Sequence, residues 1–233
     1  MVFQFKTFSV KNEKSSMKVN TDSVLLGAWT QITENTKTAL DIGSGTGLLT
    51  LMLAHKNKDI LIDAIEIEEN AFVESKDNFE NSNWNNRLTP FHISLQKFTP
   101  TRKYDLIITN PPYFLNSLKN ELKNKSLARH TDSLSFEEII EFCIQNLTSK
   151  GKLFLILPKE ESDIFIEKST TKNLFLNKKC TIKPNSNKPI NRVLMEFSLT
   201  KTKVILEKME IYKAQNVYSD KHFELTKEFY LDK

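Results

Sequence analysis

Glycine is scarce in this chain, with five residues in 233, where ordinary usage near 7% would give roughly 16. Cysteine is scarcer. Cys143 and Cys180 are the only two, too few for a disulfide-stapled scaffold, and neither stands in a Cys-x-x-Cys or Cys/His spacing that would hold zinc. Cys143 falls on an apolar helical face and reads as core. His55, His92, His130 and His222 are scattered without a partner pattern, so no metal is expected. No apolar run approaches the roughly 18 residues of a membrane-spanning helix, which leaves no expected membrane association. The opening MVFQFKTFSV alternates apolar and polar residues and carries no apolar export core, so a cytoplasmic location is expected.

The remaining composition is that of a globular protein, 39% hydrophobic and 27% charged, well away from the disordered range. No repeat or low-complexity linker divides it. One domain over 1–233 is expected, with a lid segment at 1–37, a core at 38–200 and an extension at 201–233. A monomer is the simplest expectation for its assembly.

Charge is uneven. Residues up to Ser149 hold 16 Lys and Arg against 18 Asp and Glu, whereas those from Lys150 onward hold 17 against 11. A basic C-terminal third suits an anionic partner such as nucleic acid. Only Arg87, Arg102, Arg129 and Arg192 are arginines, a lysine bias that also fits plain solvated surface.

From residue 38 onward strand and helix patterns alternate. Thr38–Ile42, Ile60–Ile65, Leu88–Ile93 (interrupted by Pro90), Tyr104–Thr109 and Leu153–Leu157 read as strands. Leu48–Ala54, Asn70–Phe79, a helix capped by Ser135-x-x-Glu138 and closed by Gly151, and Glu160–Lys168 read as helices. Mostly continuous apolar strands between helices describe an α/β protein whose largely parallel sheet is covered on both faces. Phe175–Ile182 and Arg192–Leu199 have only a Pro-containing loop between them and read as an antiparallel hairpin at the sheet edge. Val204–Ile211 is a candidate further strand, and Phe223–Leu231 a final helix.

Three of the five glycines, Gly43, Gly45 and Gly47, lie in Asp41-Ile-Gly-Ser-Gly-Thr-Gly, directly after the first core strand and before a helix. Such a turn lets a ligand approach the main chain, and the free N–H groups of the helix start attract electronegative atoms. The dinucleotide fingerprint G-x-G-x-x-G would need glycine where Leu48 stands. The pattern instead resembles the cofactor motif of class I S-adenosylmethionine-dependent methyltransferases. Glu66, 19 residues after Gly47 and at the end of the second core strand, is placed to reach ribose hydroxyls.

The strand Tyr104–Thr109 ends in Asn110-Pro111-Pro112-Tyr113. Two prolines stiffen the backbone and remove two N–H donors, leaving the Asn110 side-chain oxygen and the Pro111 carbonyl as acceptors for a planar amino group. Tyr113 offers a face on which a base can stack. Two acceptors gripping an amino group favour its pyramidalisation and stabilise positive charge developing on it. The tetrapeptide resembles the motif of methyltransferases acting on adenine N6 or glutamine nitrogen, and that resemblance makes Asn110, Pro111, Pro112 and Tyr113 the catalytic set.

Met17–Trp29, Asp41–Gly47, Asn110–Phe114, Arg192-Val-Leu and the tail around Tyr218 and Phe229–Leu231 together resemble the bacterial tRNA1(Val) adenine-N6 methyltransferase family, which acts on position 37 beside the anticodon. The resemblance touches most of the chain. It implies a Rossmann-like class I fold, α/β, with a mostly parallel seven-stranded sheet, helices on both faces and an antiparallel C-terminal hairpin. S-adenosyl-L-methionine is the implied cofactor and tRNA the implied partner. Asp41, Gly43, Gly45, Gly47 and Glu66 would hold the cofactor, with Lys18, Thr21 and Asp22 closing over its methionine end. Ser94 stands where many such enzymes place an acid toward the adenine, so Ser94, a backbone amide or Leu95 would serve there. Asn20 and Ser23 replace expected glycines, and Thr21 and Asp22 are the expected helix cap.

Two basic stretches are candidates for gripping RNA phosphates. One is Lys119, Lys123, Lys125 and Arg129 after the catalytic loop. The other is Lys178, Lys179, Lys183, Lys188 and Arg192 on and beside the hairpin. Other readings stand beside this one: a release-factor glutamine methyltransferase, an rRNA or DNA adenine methyltransferase, a guanine-N2 rRNA enzyme, or a non-catalytic RNA-binding module.

Overall fold

The computed structural model describes residues 1–15, 18–112 and 134–231. A short antiparallel hairpin of β1 (Val2–Gln4) and β2 (Ser9–Lys11) leads to helix α1 (Thr21–Trp29). Then follow β3 (Thr38–Ile42), α2 (Leu48–Lys56), β4 (Leu61–Glu66), α3 (Glu69–Glu80), β5 (Leu88–His92), β6 (Tyr104–Thr109), α4 (Phe136–Asn146), β7 (Leu147–Pro158) and α5 (Lys159–Thr171). The chain continues through β8 (Phe175–Lys183), β9 (Arg192–Ser198), β10 (Ile205–Glu210), a small hairpin of β11 (Tyr212–Ala214) and β12 (Val217–Tyr218), and α6 (Asp220–Thr226).

Strands β3 to β10 form one sheet in the order β10-β8-β9-β7-β6-β3-β4-β5. Only β9 runs against its neighbours. The expected α/β class with a mostly parallel sheet and a C-terminal hairpin is therefore observed, but the sheet has eight strands rather than seven. The eighth, β10, pairs in parallel with β8 from Ile205↔Lys178 to Glu210↔Lys183, so the β8–β9 hairpin lies inside the sheet instead of forming its edge. Alternation explains how continuous apolar strands serve two cores. Ile62, Ala64, Leu106, Ile108, Phe154 and Ile156 pack with α1 and α2 on one face, while Leu40, Ile107, Leu153, Leu155 and Val193 pack with α4 and α5 on the other.

Three local readings change. Pro90 does not end β5, because among the described residues that strand pairs only with β4, and on the sheet's outer side a missing N–H costs no ladder bond. Gly151 is not a helix stop. It lies inside β7, where register against β6 shifts between Tyr104 and Leu106, and a Cβ there would fall 2.6 Å from the Tyr104 carbonyl oxygen. The cap of α1 is Asn20, extended at φ −138° and ψ 164°, whose Oδ1 accepts from the Ser23 amide at 2.9 Å, so Thr21 and Asp22 already belong to the helix. The Ser135–Glu138 capping box forms in both directions.

Candidate active site

Strand order reverses between the parallel neighbours β3 and β6, the chain passing from β3 to β4 on one side and from β6 to β7 on the other, and ligands of open α/β sheets sit beyond the strand ends at such a point. Ile42 and Thr109 pair there, and the Thr109 hydroxyl donates to the Ile42 carbonyl at 2.9 Å. The glycine turn and Asn110 therefore leave the sheet side by side.

The turn is left-handed at each glycine, with φ of 71°, 55° and 80° at Gly43, Gly45 and Gly47. Amides of Gly43 and Ser44 donate to the Ile65 carbonyl at 2.9 and 3.0 Å, which fastens the turn to β4. A Cβ on Gly43 would meet nothing within 4 Å, and one on Gly45 only the Ser15 hydroxyl at 3.9 Å. The outer side of the turn is open space over exposed main chain, the shape needed for a ligand to approach the backbone. Gly47 differs: its Cβ would stand 2.4 Å from the buried Phe79 ring, so here glycine admits α3 rather than a ligand.

Glu66 ends β4 as the spacing requires, and its carboxylate is already engaged. Oε2 accepts from the Gly45 amide at 2.8 Å, and Oε1 from the Ile67 and Glu68 amides at 2.8 and 2.9 Å. A carboxylate has about four acceptor positions, so one remains open to a further donor. Asp41 lies beneath the turn, fully buried, with Oδ2 accepting from the Thr50 amide and hydroxyl at 3.1 and 2.7 Å. Burial pushes its pKa up to about 7, the two Thr50 bonds oppose this, and the Glu66 charge adds to it. Its place is under the first turn of α2, where it fixes the start of that helix.

Asn110 is 7% exposed. Its Nδ2 donates to the Ser23 hydroxyl at 2.9 Å, whereas Oδ1 has no partner among the described residues. Ser44 Oγ and, beneath the turn, Asp41 Oδ1 share that condition, and of these residues Ser44 and Asn110 border one crevice. Such groups are few in native proteins, and each calls for an explanation, a catalytic role or a bound partner among them. The cleft between them is bordered by Lys18, Ser23, Gly43, Thr46 and Asn110. Pro111 is buried and Pro112 exposed. Tyr113, Lys119, Lys123, Lys125 and Arg129 lie outside the described residues.

The lid residues are arranged from below. Lys18 borders the cleft and donates to the Glu13 carbonyl at 2.6 Å. Glu74 of α3 accepts from the amides of Glu13, Lys14 and Ser15, and Asn78 bridges Lys11 to the Thr46 carbonyl. Thr21 is exposed. Asp22 binds Arg192 Nε at 2.6 Å, so a residue expected at the cofactor and one expected at RNA neutralise each other. Ser94, half-buried, precedes a single helical turn at Leu95–Lys97, and Leu95 is packed in the core beside β5.

The hairpin cations divide as well. Lys178 pairs with Glu207 at 2.9 Å and lies 5.0 Å from the centre of the Trp29 ring, whose Nε1 donates to the same Glu207. Lys179 faces Asp163 at 3.8 Å. Lys183 and Lys188 stand at the strand end and in the following loop. Sequence reasoning gave no functional role to Ser23, Ser44, Thr50 or Glu74. Ser23 carried a signal, since it departs from an expected glycine; Glu74 carried none, because its partners are backbone amides about sixty residues away.

Set beside known proteins, residues 14–169 match the family model of the methyltransferase small domain. A protein of Christiangramia forsetii named tRNA1(Val) (adenine(37)-N6)-methyltransferase is 39% identical over 98% of this chain and 97% of its own length. A protein of the same name from Pseudoalteromonas translucida is 42% identical over 98% of each. Among solved structures, a protein of Agrobacterium tumefaciens described as a predicted O-methyltransferase aligns with a TM-score of 0.69 over 89% of this chain and 96% of its own, at 15% identity. The hMettl16 catalytic domain, solved with an RNA hairpin, reaches 0.60 over 85% and 78%, at 16% identity. At those identities the likeness is one of fold.

Proposed function

Because this chain belongs to the tRNA1(Val) (adenine(37)-N6)-methyltransferase family, we propose that it transfers a methyl group from S-adenosyl-L-methionine to N6 of adenine 37 in tRNA1(Val). The observation that carries the chemistry is the unsatisfied, buried Oδ1 of Asn110, set beside the open glycine turn. When bound, the cofactor supplies a methyl group on a sulfonium, electrophilic enough to need only alignment with its acceptor. Gly43 and Gly45 give it main chain to lie against, Glu66 one remaining acceptor position for ribose, and Lys18 the rim of the cleft.

Asn110 acts on the acceptor nitrogen. Its Oδ1 accepts a hydrogen bond from one N–H of the adenine amino group and the Pro111 carbonyl accepts from the other, which draws the nitrogen lone pair out of conjugation and stabilises the positive charge that develops there. Ser23 holds the amide from behind through Nδ2, so the acceptor is fixed before substrate arrives. The methylated nitrogen is strongly acidic and releases its surplus proton to water after transfer, so no side-chain base is required for the step. Tyr113 is assigned to stacking on the extruded base. The cytoplasm, where tRNA is modified, is the proposed location; among the described residues no helix is long and apolar enough to cross a membrane.

The test is incubation with methyl-labelled S-adenosylmethionine and separate pools of tRNA1(Val) transcript, the same transcript with guanine at 37, release factor and DNA. Label is expected in the first pool alone. Label in release factor, or equal label in both transcripts, would overturn the assignment.

A further inference from the structure

The positive excess of the C-terminal third is not spent where the sequence placed it. Lys178, Lys179 and Arg192 each face an acid from another element: Glu207, Asp163 and Asp22. Lys183 does not. It lines a groove of about 680 Å³ together with Lys208, Lys213 and Lys221, over a floor that includes Ile190 and Met209. Two acids, Glu210 and Asp220, share the lining, and Asp220 is taken by Lys213 at 2.6 Å. Lys221 rests on the Lys208 carbonyl at 3.1 Å. Among the described residues, Lys183 and Lys208 form no ion pair. The groove thus carries more positive than negative charge and keeps two ammonium groups uncommitted.

Its position matters more than its charge. Strands β8 and β10 run parallel to each other and antiparallel to β9, which runs antiparallel to β7. They therefore point the same way as β6 and β3, and their last residues, Lys183 and Glu210, pair on the rim of the sheet that also carries Asn110 and Gly43. Across the order β6-β7-β9-β8-β10, strand spacings of about 4.8 Å set the groove roughly 14–19 Å to the side of the catalytic asparagine, and the register carries it about 10 Å further along the strand direction. That is a reach of a few nucleotides along a strand whose target base is buried in the crevice. Lysine heads are point charges that suit phosphate without demanding one orientation.

We propose that this groove holds the phosphate backbone of the RNA substrate, in the stem adjoining the loop whose base is methylated. The inference rests on the tRNA reading above, and it moves the RNA grip from the hairpin face to the end of β8 and β10.

The experiment compares the parent with a Lys183→Gln, Lys208→Gln double variant. Initial methylation rates are measured against tRNA1(Val) concentration at several salt concentrations, with S-adenosylmethionine affinity measured by calorimetry. The variant is expected to raise the KM for tRNA several-fold and to make its logarithmic salt dependence shallower by about 0.7–0.9 for each phosphate no longer neutralised, with cofactor affinity unchanged. The single variants, each shallower by about half as much, keep the test intact should the double variant fold poorly. An unchanged salt slope and KM in a parent-like fold would overturn the proposal. A parent that methylates no tRNA would instead overturn the functional reading, so the two failures are separable. A changed cofactor affinity with unchanged salt slope would reassign the groove to a small anionic effector and likewise refute the RNA grip.

Discussion

Adding one methyl group at Gly43 and one at Gly47 should damage two different properties of the same turn. At Gly43, with φ 71°, a Cβ meets no heavy atom within 4 Å. The folded protein bears only the left-handed strain of an L-residue, about 1–2 kcal/mol, and in a chain of this size each kcal/mol lowers Tm by roughly 2–4 °C. The methyl nevertheless fills the open side of the turn, where the cofactor must approach the main chain. Gly43→Ala should therefore weaken S-adenosylmethionine binding at least tenfold, about 1.4 kcal/mol. At Gly47, φ is 80° and a Cβ would stand 2.4 and 2.8 Å from Cε1 and Cζ of Phe79, a ring with 2% exposure. The same strain is joined by overpacking of about 1–3 kcal/mol, so Gly47→Ala should lower Tm on the order of 10 °C. Thermal unfolding of both variants, with a calorimetric titration of each, separates the effects. A Gly43→Ala protein that binds the cofactor as tightly as the parent would refute the cradle. A Gly47→Ala protein melting no lower than Gly43→Ala would refute the packing role.

Ser23→Ala should leave cofactor affinity intact and reduce kcat by up to about tenfold, because a buried hydrogen bond contributes roughly 0.5–1.5 kcal/mol, whereas Asn110→Ala should abolish turnover; full kcat in Ser23→Ala would show that Asn110 needs no support from α1. Acid should release the segment before α1. Burial raises the Glu74 pKa, but the amides of Glu13, Lys14 and Ser15 and the Lys18 charge together outweigh it and hold it below the ordinary value. A lowered carboxylate stabilises the fold fully above the unfolded pKa of about 4.3 and loses that contribution as pH falls through the folded value. Amide exchange at residues 13–15 should accelerate as pH falls below about 4 beyond its intrinsic trend, and Glu74→Gln should remove that acceleration; identical profiles in parent and variant would refute it.

The parts of the site that could be read from the sequence are those whose chemistry is local. A glycine cluster after a strand, and two prolines after another, state backbone requirements within a few residues, and the parallel order of the strands then brings both to one rim. The strands were legible for the same reason, since continuous apolar runs are what a sheet covered on both faces demands. What escaped depends on partners far along the chain. Arg192 and Asp22 are 170 residues apart, and Trp29 and Glu207 are 178 apart; no pattern in the hairpin says that its lysines are answered by acids elsewhere. β10 was ambiguous because Ile205, Leu206 and Lys208 are exposed and Met209 is its one buried residue, so it lacks the signature of a covered strand.

Glu66 shows how a spacing rule can find a residue and leave part of its role unstated. The rule locates an acid at the end of the second core strand, and β4 does end there, beside β3. The same neighbourhood brings its carboxylate within 2.8 Å of the Gly45 amide. An acid near enough to meet a ribose lying over the turn is thus also near enough to brace the turn, with the Ile67 and Glu68 amides steadying its other oxygen. Bracing and the ribose contact proposed above would both follow from one placement. Loss of Glu66 would therefore loosen the glycine turn and remove a hydrogen bond to the ligand together, and its effect on cofactor affinity would exceed that of a single hydrogen bond.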